Sequence, residues 1–183
     1  AAGAKEMIDS LRQRTTRAFN VNLFAHLTPQ PDELRENAWL DGLRPVFAQF
    51  NAEPPTHLRT IYRSFNDDPG MLAMLLETRP PVVSFHFGLP SADKLAALRD
   101  AGCLLMATAT SLTEAQSIER AGVDVIIAQG IEAGGHRGTF DPVAPDDALG
   151  TFALTRLLVR QCPTPVVAAG GRGAGPKSPA GVC

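Results

Sequence analysis

The chain has 183 residues, of which 44% are hydrophobic and 20% are charged, and its formal net charge at pH 7 is −2. These values are typical of a globular chain with one sizeable core and exclude an intrinsically disordered one. Because Lys and Arg are scattered and no apolar run is long enough to span a bilayer, neither a nucleic-acid nor a membrane partner is predicted. The cysteines Cys103, Cys162 and Cys183 are far apart, which favours a reduced, cytoplasmic setting over a disulfide framework.

The first third of the chain alternates between helical and strand-like patterns. Residues 5–17 predict an amphipathic helix, residues 19–24 a strand and residues 31–51 a second helix. A short helix is predicted over residues 67–76, with Pro69 in its first turn, where the missing N–H has no helical partner to lose.

Apolar runs then follow at residues 82–87, 104–109, 123–128 and 165–169. Their continuous apolar character is typical of strands that are buried on both faces. The first three begin about 20 residues apart, which is about the length of a compact βα unit. Strict alternation of such units forms either a closed barrel or an open doubly wound sheet, and the periodicity alone favours neither.

Capping residues mark the helices between these strands. Ser91 is a candidate N-cap, and Ser111 with Glu114 three residues later has the pattern of a capping box. Gly102 and Gly122 are expected to end the two helices.

The step from the third of these strands to the fourth is about twice as long as the others. The additional residues form a loop at 134–147, rich in Gly, Asp and Pro, and a helix is predicted over 148–161. Long loops after a strand of a repeated βα fold usually carry function.

Polar side chains lie at or near the C-terminal ends of the predicted strands: Asn22, His86, Thr108, Thr110 and Gln129. This edge binds ligands both in barrels and in open α/β sheets. A buried polar group needs a partner, which a ligand, a neighbouring strand end or a bound water could supply. The shared location favours a binding site for the group as a whole.

The strongest local motif is AQGIEAGGHRG. Gly134 and Gly135 allow the backbone to approach a flat or phosphorylated ligand, and His136 has a side chain suited to acid–base chemistry. The alternative is a glycine-rich turn with a surface histidine. Gly170 and Gly171 form a second turn, which either holds a phosphate with its backbone N–H groups or simply joins a strand to a helix. No His, Cys or Asp grouping has metal-ligand spacing, so no metal site is predicted.

These motifs, taken together and in order, resemble the class I nitronate monooxygenases. The segments that carry the resemblance are VNLF at 21–24, SFHFGLP at 84–90, MATATS at 106–111, AQGIEAGGHRG at 128–138 and TPVVAAGG at 164–171. The resemblance implies a TIM barrel, an α/β fold, with FMN across the C-terminal ends of its strands.

The resemblance also implies a role for each motif residue. The residues expected to bind FMN or to shape its turns are Asn22, Gln129, Gly134, Gly135, Gly170 and Gly171. His136 is expected to be the catalytic base or to position the substrate, and His86 to line the substrate pocket.

The implied reaction is the oxidation of alkyl nitronates, such as propionate 3-nitronate, by O2 to a carbonyl compound and nitrite. The partners are therefore a small nitronate or nitroalkane and O2. Two alternatives stay open. The wider relatives, FMN-dependent enoyl-ACP reductases and quinone reductases, share the EAGGH core, and the chain could also be an inactive fragment of such an enzyme.

The resemblance extends from about residue 15 to residue 171, and residues 1–171 are expected to form an incomplete FMN-binding (β/α)8 barrel. Motifs typical of the family's first two strands are not found, and neither is the last strand. Residues 172–183 have no helical or strand pattern and are expected to be an irregular tail from a truncation or a frameshift.

Overall fold

The computed structural model describes residues 1–170. The predictions for Gly171 and for the tail at 172–183 therefore lie outside the described residues. The chain divides into two compact units, which are described separately below. The first contains Ala1–Leu27 and the residues from Ser64 onwards, and the second is Thr28–Arg63.

The first unit is built on a parallel sheet whose five strands follow one another in sequence order. The strands are β1 (Asn20–Phe24), β2 (Val82–His86), β3 (Leu104–Ala109), β4 (Val125–Gln129) and β5 (Val166–Ala169). A doubly wound sheet reverses its strand order at a switch point, whereas a barrel keeps the sequence order. The topology therefore confirms the prediction of a partial (β/α)8 barrel.

Six α-helices accompany the strands in the described part of the chain. They are α1 (Ala2–Arg14), α2 (Glu33–Ala48), α3 (Pro69–Thr78), α4 (Ala92–Asp100), α5 (Leu112–Arg120) and α6 (Thr151–Gln161), with one turn of 3-10 helix at Phe65–Asp67. All except α2 belong to the first unit. None of these helices is long and apolar enough to cross a membrane.

The core of the first unit lies on one face of the sheet. Alternate strand residues such as Phe85, Leu105 and Ile126 are fully buried and pack in one cluster with helix residues such as Leu98 and Leu154. Each large apolar side chain removed from water in this way contributes about 1.5–3 kcal/mol to stability. The remaining strand residues point to the opposite face of the sheet. They include the polar residues Asn22, His86 and Thr108 that the sequence analysis singled out.

The predicted capping residues are found at the helix ends, with two differences in detail. Ser111 Oγ accepts a hydrogen bond from the Glu114 N–H at 3.2 Å. The Glu114 carboxylate, however, accepts from the backbone N–H and the hydroxyl of Thr110, one residue earlier than in a standard capping box. Ser91 occupies the N-cap position of α4 without a side-chain hydrogen bond to the helix.

Some boundaries differ from the sequence prediction because of particular backbone contacts. β2 ends at His86 because Phe87 adopts a φ of 69°, which no strand residue has. β4 begins at Val125 because the N–H of Val123 still bonds to Ile118 at the end of α5. α6 begins at Thr151, three residues later than predicted, since Ala148 has a φ of 50°.

The second unit consists of α2 followed by turns. Asp32 is the N-cap of this helix, and its carboxylate accepts from the N–H of Arg35 at 3.0 Å. Trp39 and Phe50 are exposed.

Candidate active site

The polar strand-end residues of β1 to β4 share the face of the sheet that is opposite the helices. The strand register places Phe24 of β1 beside His86 of β2. On the other side of His86, the same register continues to Thr108 of β3. Because parallel strands all end at one edge, His86, Thr108 and Gln129 lie at the C-terminal edge of the sheet, as the sequence predicted, whereas Asn22 is in register with Ser84, two residues before this edge.

His86 uses both ring nitrogens within this site. Its Nε2 lies 3.1 Å from the backbone oxygen of His136, and its Nδ1 lies 3.0 Å from Thr108 Oγ1. A carbonyl oxygen only accepts, so the neutral ring must carry its proton on Nε2, and the Thr108 hydroxyl then donates to Nδ1. Burial lowers the pKa of His86, and the charge of His136 lowers it further, although the hydrogen bond to the His136 carbonyl acts in the opposite direction. These surroundings favour the neutral form of the His86 ring.

Gln129, the last residue of β4, is bonded to three consecutive residues of the following loop. Its Nε2 donates to the His136 carbonyl at 2.9 Å, and its Oε1 accepts from the Gly138 N–H at 2.7 Å. Its own carbonyl accepts from Arg137 Nη1 at 2.6 Å. The loop that carries His136 is therefore tied to the end of β4.

His136 itself is exposed, and its ring packs against two aromatic rings. The ring centroids are 5.5 Å from Phe24 and 5.7 Å from Phe87, both edge to face. Phe87 also lies 4.4 Å from the ring of His86. The apolar wall formed by Phe24 and Phe87 was not predicted, because in the sequence both residues read as ordinary strand residues.

Phe87 has an unusual backbone conformation for a bulky residue. Its φ of 69° is in the left-handed region, where a β-carbon is crowded by the backbone. Such conformations persist only where the surrounding structure enforces them, and they cluster at functional sites. Here the left-handed residue turns the chain at the end of β2 and directs the Phe87 ring between His86 and His136.

Asn22 lies on β1, where its side chain is exposed at the edge strand. Its Oδ1 accepts a hydrogen bond from the hydroxyl of Ser84 at 2.8 Å, and Ser84 accepts in turn from Asn20 Nδ2 at 2.8 Å. Ser84 is fully buried, so the Asn22 amide is oriented by a fixed neighbour on β2.

The glycine turns after β4 and β5 lie next to each other. A β-carbon at Gly170 would come within 2.9 Å of the Ala133 β-carbon, and Gly170 also has a φ of 89°, so a larger residue does not fit there. Gly134 and Gly135, in contrast, are exposed and face open space, since no atom lies within 4 Å of the position of an added β-carbon. Gly171, the next residue of the second turn, is outside the described part.

Glu132 closes the N-terminus of α6 beside these turns. Its carboxylate accepts from the Thr151 N–H at 2.8 Å and lies 2.9 Å from the Thr151 hydroxyl. Hydrogen bonds from backbone N–H groups, its own and that of Thr151, lower the pKa of Glu132. The N-terminus of α6 thus already holds a carboxylate, whose charge would repel a second anion there.

The fold and the site together define a parallel βα-barrel protein with a histidine-bearing loop at the C-terminal ends of its strands. The family model for nitronate monooxygenase matches residues 2–176. The chain belongs to the nitronate monooxygenase family, whose members are flavin-dependent.

Two curated relatives named nitronate monooxygenase show the extent of the similarity. The protein from Paraburkholderia phytofirmans is 57% identical over 171 residues, which are 93% of this chain and 47% of that protein. The protein from Pseudomonas aeruginosa is 53% identical over 171 residues, 93% of this chain and 49% of its own length. The chain spans about half the length of these curated relatives.

Solved structures show the same fold. A nitroalkane oxidase from Streptomyces ansochromogenes superposes with a TM-score of 0.77 at 39% identity and covers 93% of this chain and 48% of its own. A mutant of FabK from Thermotoga maritima superposes with a TM-score of 0.60 at 27% identity, covering 93% of this chain and 42% of its own.

Proposed function

We propose that this chain provides part of the active site of an FMN-dependent enzyme that oxidises alkyl nitronates, such as propionate 3-nitronate, with O2. The observation that carries the proposal is the fixed position of His136. Its backbone carbonyl is bonded to strand-end side chains on β2 and β4, while its ring is exposed beside Phe24 and Phe87. A base that must reach one carbon atom of a small substrate needs this kind of fixed placement.

The residues present fit an FMN group. The open space at Gly134 and Gly135 would admit a flat ring close to the backbone of the loop. The exposed amide of Asn22 on β1 would offer the flavin polar contacts. Gln129 directs one of its two amide protons to His136, so the other can serve the flavin. These residues and Gly170 are the ones that we expect to hold FMN.

The phosphate of FMN has one favoured position among the strand ends. Because Glu132 occupies the N-terminus of α6, a phosphate there would meet a carboxylate. We therefore assign the phosphate to the glycine turn after β5, on the family resemblance of Gly170 and Gly171, since backbone N–H groups of such turns bind phosphates.

FMN, when bound, supplies the redox chemistry, in which the nitronate is the electron donor and O2 completes the conversion to a carbonyl compound and nitrite. The residues of this chain bind and orient the substrate. An anionic nitronate has already lost its α-proton and needs no base. For a neutral nitroalkane, His136 takes the α-proton first, and the rings of Phe24 and Phe87 pack against the alkyl part.

The similarity to known proteins supports a nitro compound as the substrate. The relatives named nitronate monooxygenase are 57% and 53% identical, and the solved nitroalkane oxidase is 39% identical. The FabK mutant is more distant at 27% identity.

The proposal is tested by turnover. Protein supplied with FMN is mixed with propionate 3-nitronate in air, and O2 uptake and nitrite release are followed together. We expect both, with no requirement for NAD(P)H. Rapid flavin reduction by NAD(P)H without nitrite release would instead support a reductase, and failure to retain added FMN would support an inactive fragment.

A further inference from the structure

A partly exposed ion pair next to His136 belongs to neither the proposed flavin contacts nor the substrate wall. Arg137 donates to the Asp146 carboxylate through Nε at 3.0 Å and Nη2 at 2.9 Å, and the third bond, from Nη1, reaches the Gln129 carbonyl. Only 19% of the Arg137 side chain is exposed. Such a two-point contact fixes the guanidinium in one plane, and Lys cannot reproduce it.

We propose that Arg137, oriented by Asp146, is a positioning residue for His136. Arg137 stands between His136 and Gly138, and both of these neighbours bond to the side chain of Gln129. The guanidinium adds the third bond to the same residue of β4. Together the three bonds fix the backbone of residues 136–138 against Gln129 at the end of β4, and thereby fix the position of the His136 ring.

Asp146 is itself fixed, so the pair is anchored at both ends. Its Oδ1 accepts from the Ala148 N–H at 2.8 Å, and the hydrogen bond from Arg137 lowers the pKa of Asp146. Ala148 adopts a φ of 50°, which bends the chain toward α6. The pair thereby connects the His136 segment to the far end of the same loop.

The test removes each partner in turn. Arg137→Met keeps much of the side-chain volume without the charge, Arg137→Lys keeps the charge without the fork, and Asp146→Asn is a milder change from the other side. The matched control is Arg44→Met in the second unit, which breaks an exposed pair with Asp41 of similar length, 2.9 Å. Thermal melting of every variant verifies that it is folded.

The first readout is the hydrogen exchange of the Gly138 amide, which does not depend on the proposed function. Because this N–H bonds to Gln129 Oε1 only while the segment is held in place, its exchange should accelerate by about tenfold or more in Arg137→Met and in Asp146→Asn. Arg137→Lys should not restore slow exchange, and Arg44→Met should leave it unchanged. Exchange within about twofold of the parent in both variants would overturn the proposal.

The second readout separates positioning from general stability and rests on the proposed function. In FMN-loaded protein, Arg137→Met should lower kcat for a neutral nitroalkane about tenfold or more, because His136 must reach the α-proton. Turnover of a preformed nitronate should change much less. Equal losses on both substrates would contradict a role through His136. If no variant and no parent turns over either substrate, the proposed function fails, and the exchange result alone decides the role of Arg137.

Discussion

The imidazole Nε2 of His86 donates to the backbone carbonyl of His136 over 3.1 Å. The residue proposed to line the pocket thus holds the residue proposed to act on the substrate, and it does so through the backbone. The ring of His136 is left unconstrained by this bond and faces the rings of Phe24 and Phe87. This division between a fixed backbone and an exposed ring is the basis of the following predictions.

Replacing His136 by Ala should separate the two kinds of substrate. The variant should still retain FMN, because the backbone bonds of residue 136 do not need its ring. Turnover of a neutral nitroalkane should fall by about 100-fold or more, the usual contribution of a general base, and a preformed nitronate should lose much less. Steady-state nitrite release measures both. Unchanged turnover of the neutral nitroalkane would remove His136 from the reaction.

The neutral state of His86 predicts how stability depends on pH. Its pKa is lowered in the folded protein, so the unfolded chain binds the proton more tightly. The contribution of neutral His86 to the free energy of unfolding is fully present above the pKa of His in the unfolded chain, about 6.5, and is lost as pH falls below that value. Urea unfolding at about pH 7.5 and about pH 5.5 should therefore show a lower midpoint at the acid value, still above the usual carboxyl range.

His86→Gln should reduce this pH dependence, since the amide does not titrate and can still donate to the His136 carbonyl. The control is His57→Gln, because His57 is an exposed residue of the second unit. If the urea-unfolding midpoints of His86→Gln and His57→Gln depend on pH in the same way as that of the parent, a group other than His86 causes the pH dependence of stability.

Phe87 offers a test of backbone strain. Its φ of 69° is unfavourable for Ala as well as for Phe but not for Gly. Phe87→Ala and Phe87→Gly both lose the ring contacts, so the difference between them isolates the backbone. We expect the Gly variant to be more stable than the Ala variant by about 1 kcal/mol, by urea unfolding. An Ala variant equal to or more stable than Gly would mean that residue 87 does not keep this conformation.

The amide of Gln129 makes a directional prediction. Its Nε2 donates to the His136 carbonyl while its Oε1 accepts from Gly138. Gln129→Glu keeps the acceptor but places an oxygen against the carbonyl, whereas Gln129→Ala removes both partners. We expect Gln129→Glu to lose turnover of a neutral nitroalkane as completely as Gln129→Ala, because an unpaired or repelled carbonyl no longer fixes the loop. A Glu variant with the activity of the parent would show that the donor is not needed.

The strands and the location of the site could be predicted from the sequence because local signals determine them. Continuous apolar runs predicted the strands of the sheet, and polar residues at their C-terminal ends indicated His86 and Gln129, which lie at one edge. Asn22 lies on the same face of the sheet, two residues before that edge. The choice of a barrel over a doubly wound sheet needed the family resemblance and is confirmed by the strand order.

The contacts within the loop after β4 could not be predicted, because they join residues that are apart in sequence. Glu132 caps α6 at Thr151, 19 residues later, and Arg137 pairs with Asp146 across the bend of the loop. The left-handed conformation of Phe87 has no signal in its residue type, since bulky residues avoid it. The roles of the predicted site residues toward FMN and substrate stay predictions.

The most direct test of the central proposal is the anaerobic reaction of the flavin with a nitronate. The chain is loaded with FMN, O2 is removed, and the visible absorbance of the flavin is followed as propionate 3-nitronate is added. The account predicts that the flavin is reduced by the nitronate without NAD(P)H. Bound flavin whose spectrum does not change with the nitronate, but which NAD(P)H reduces at once, would contradict it.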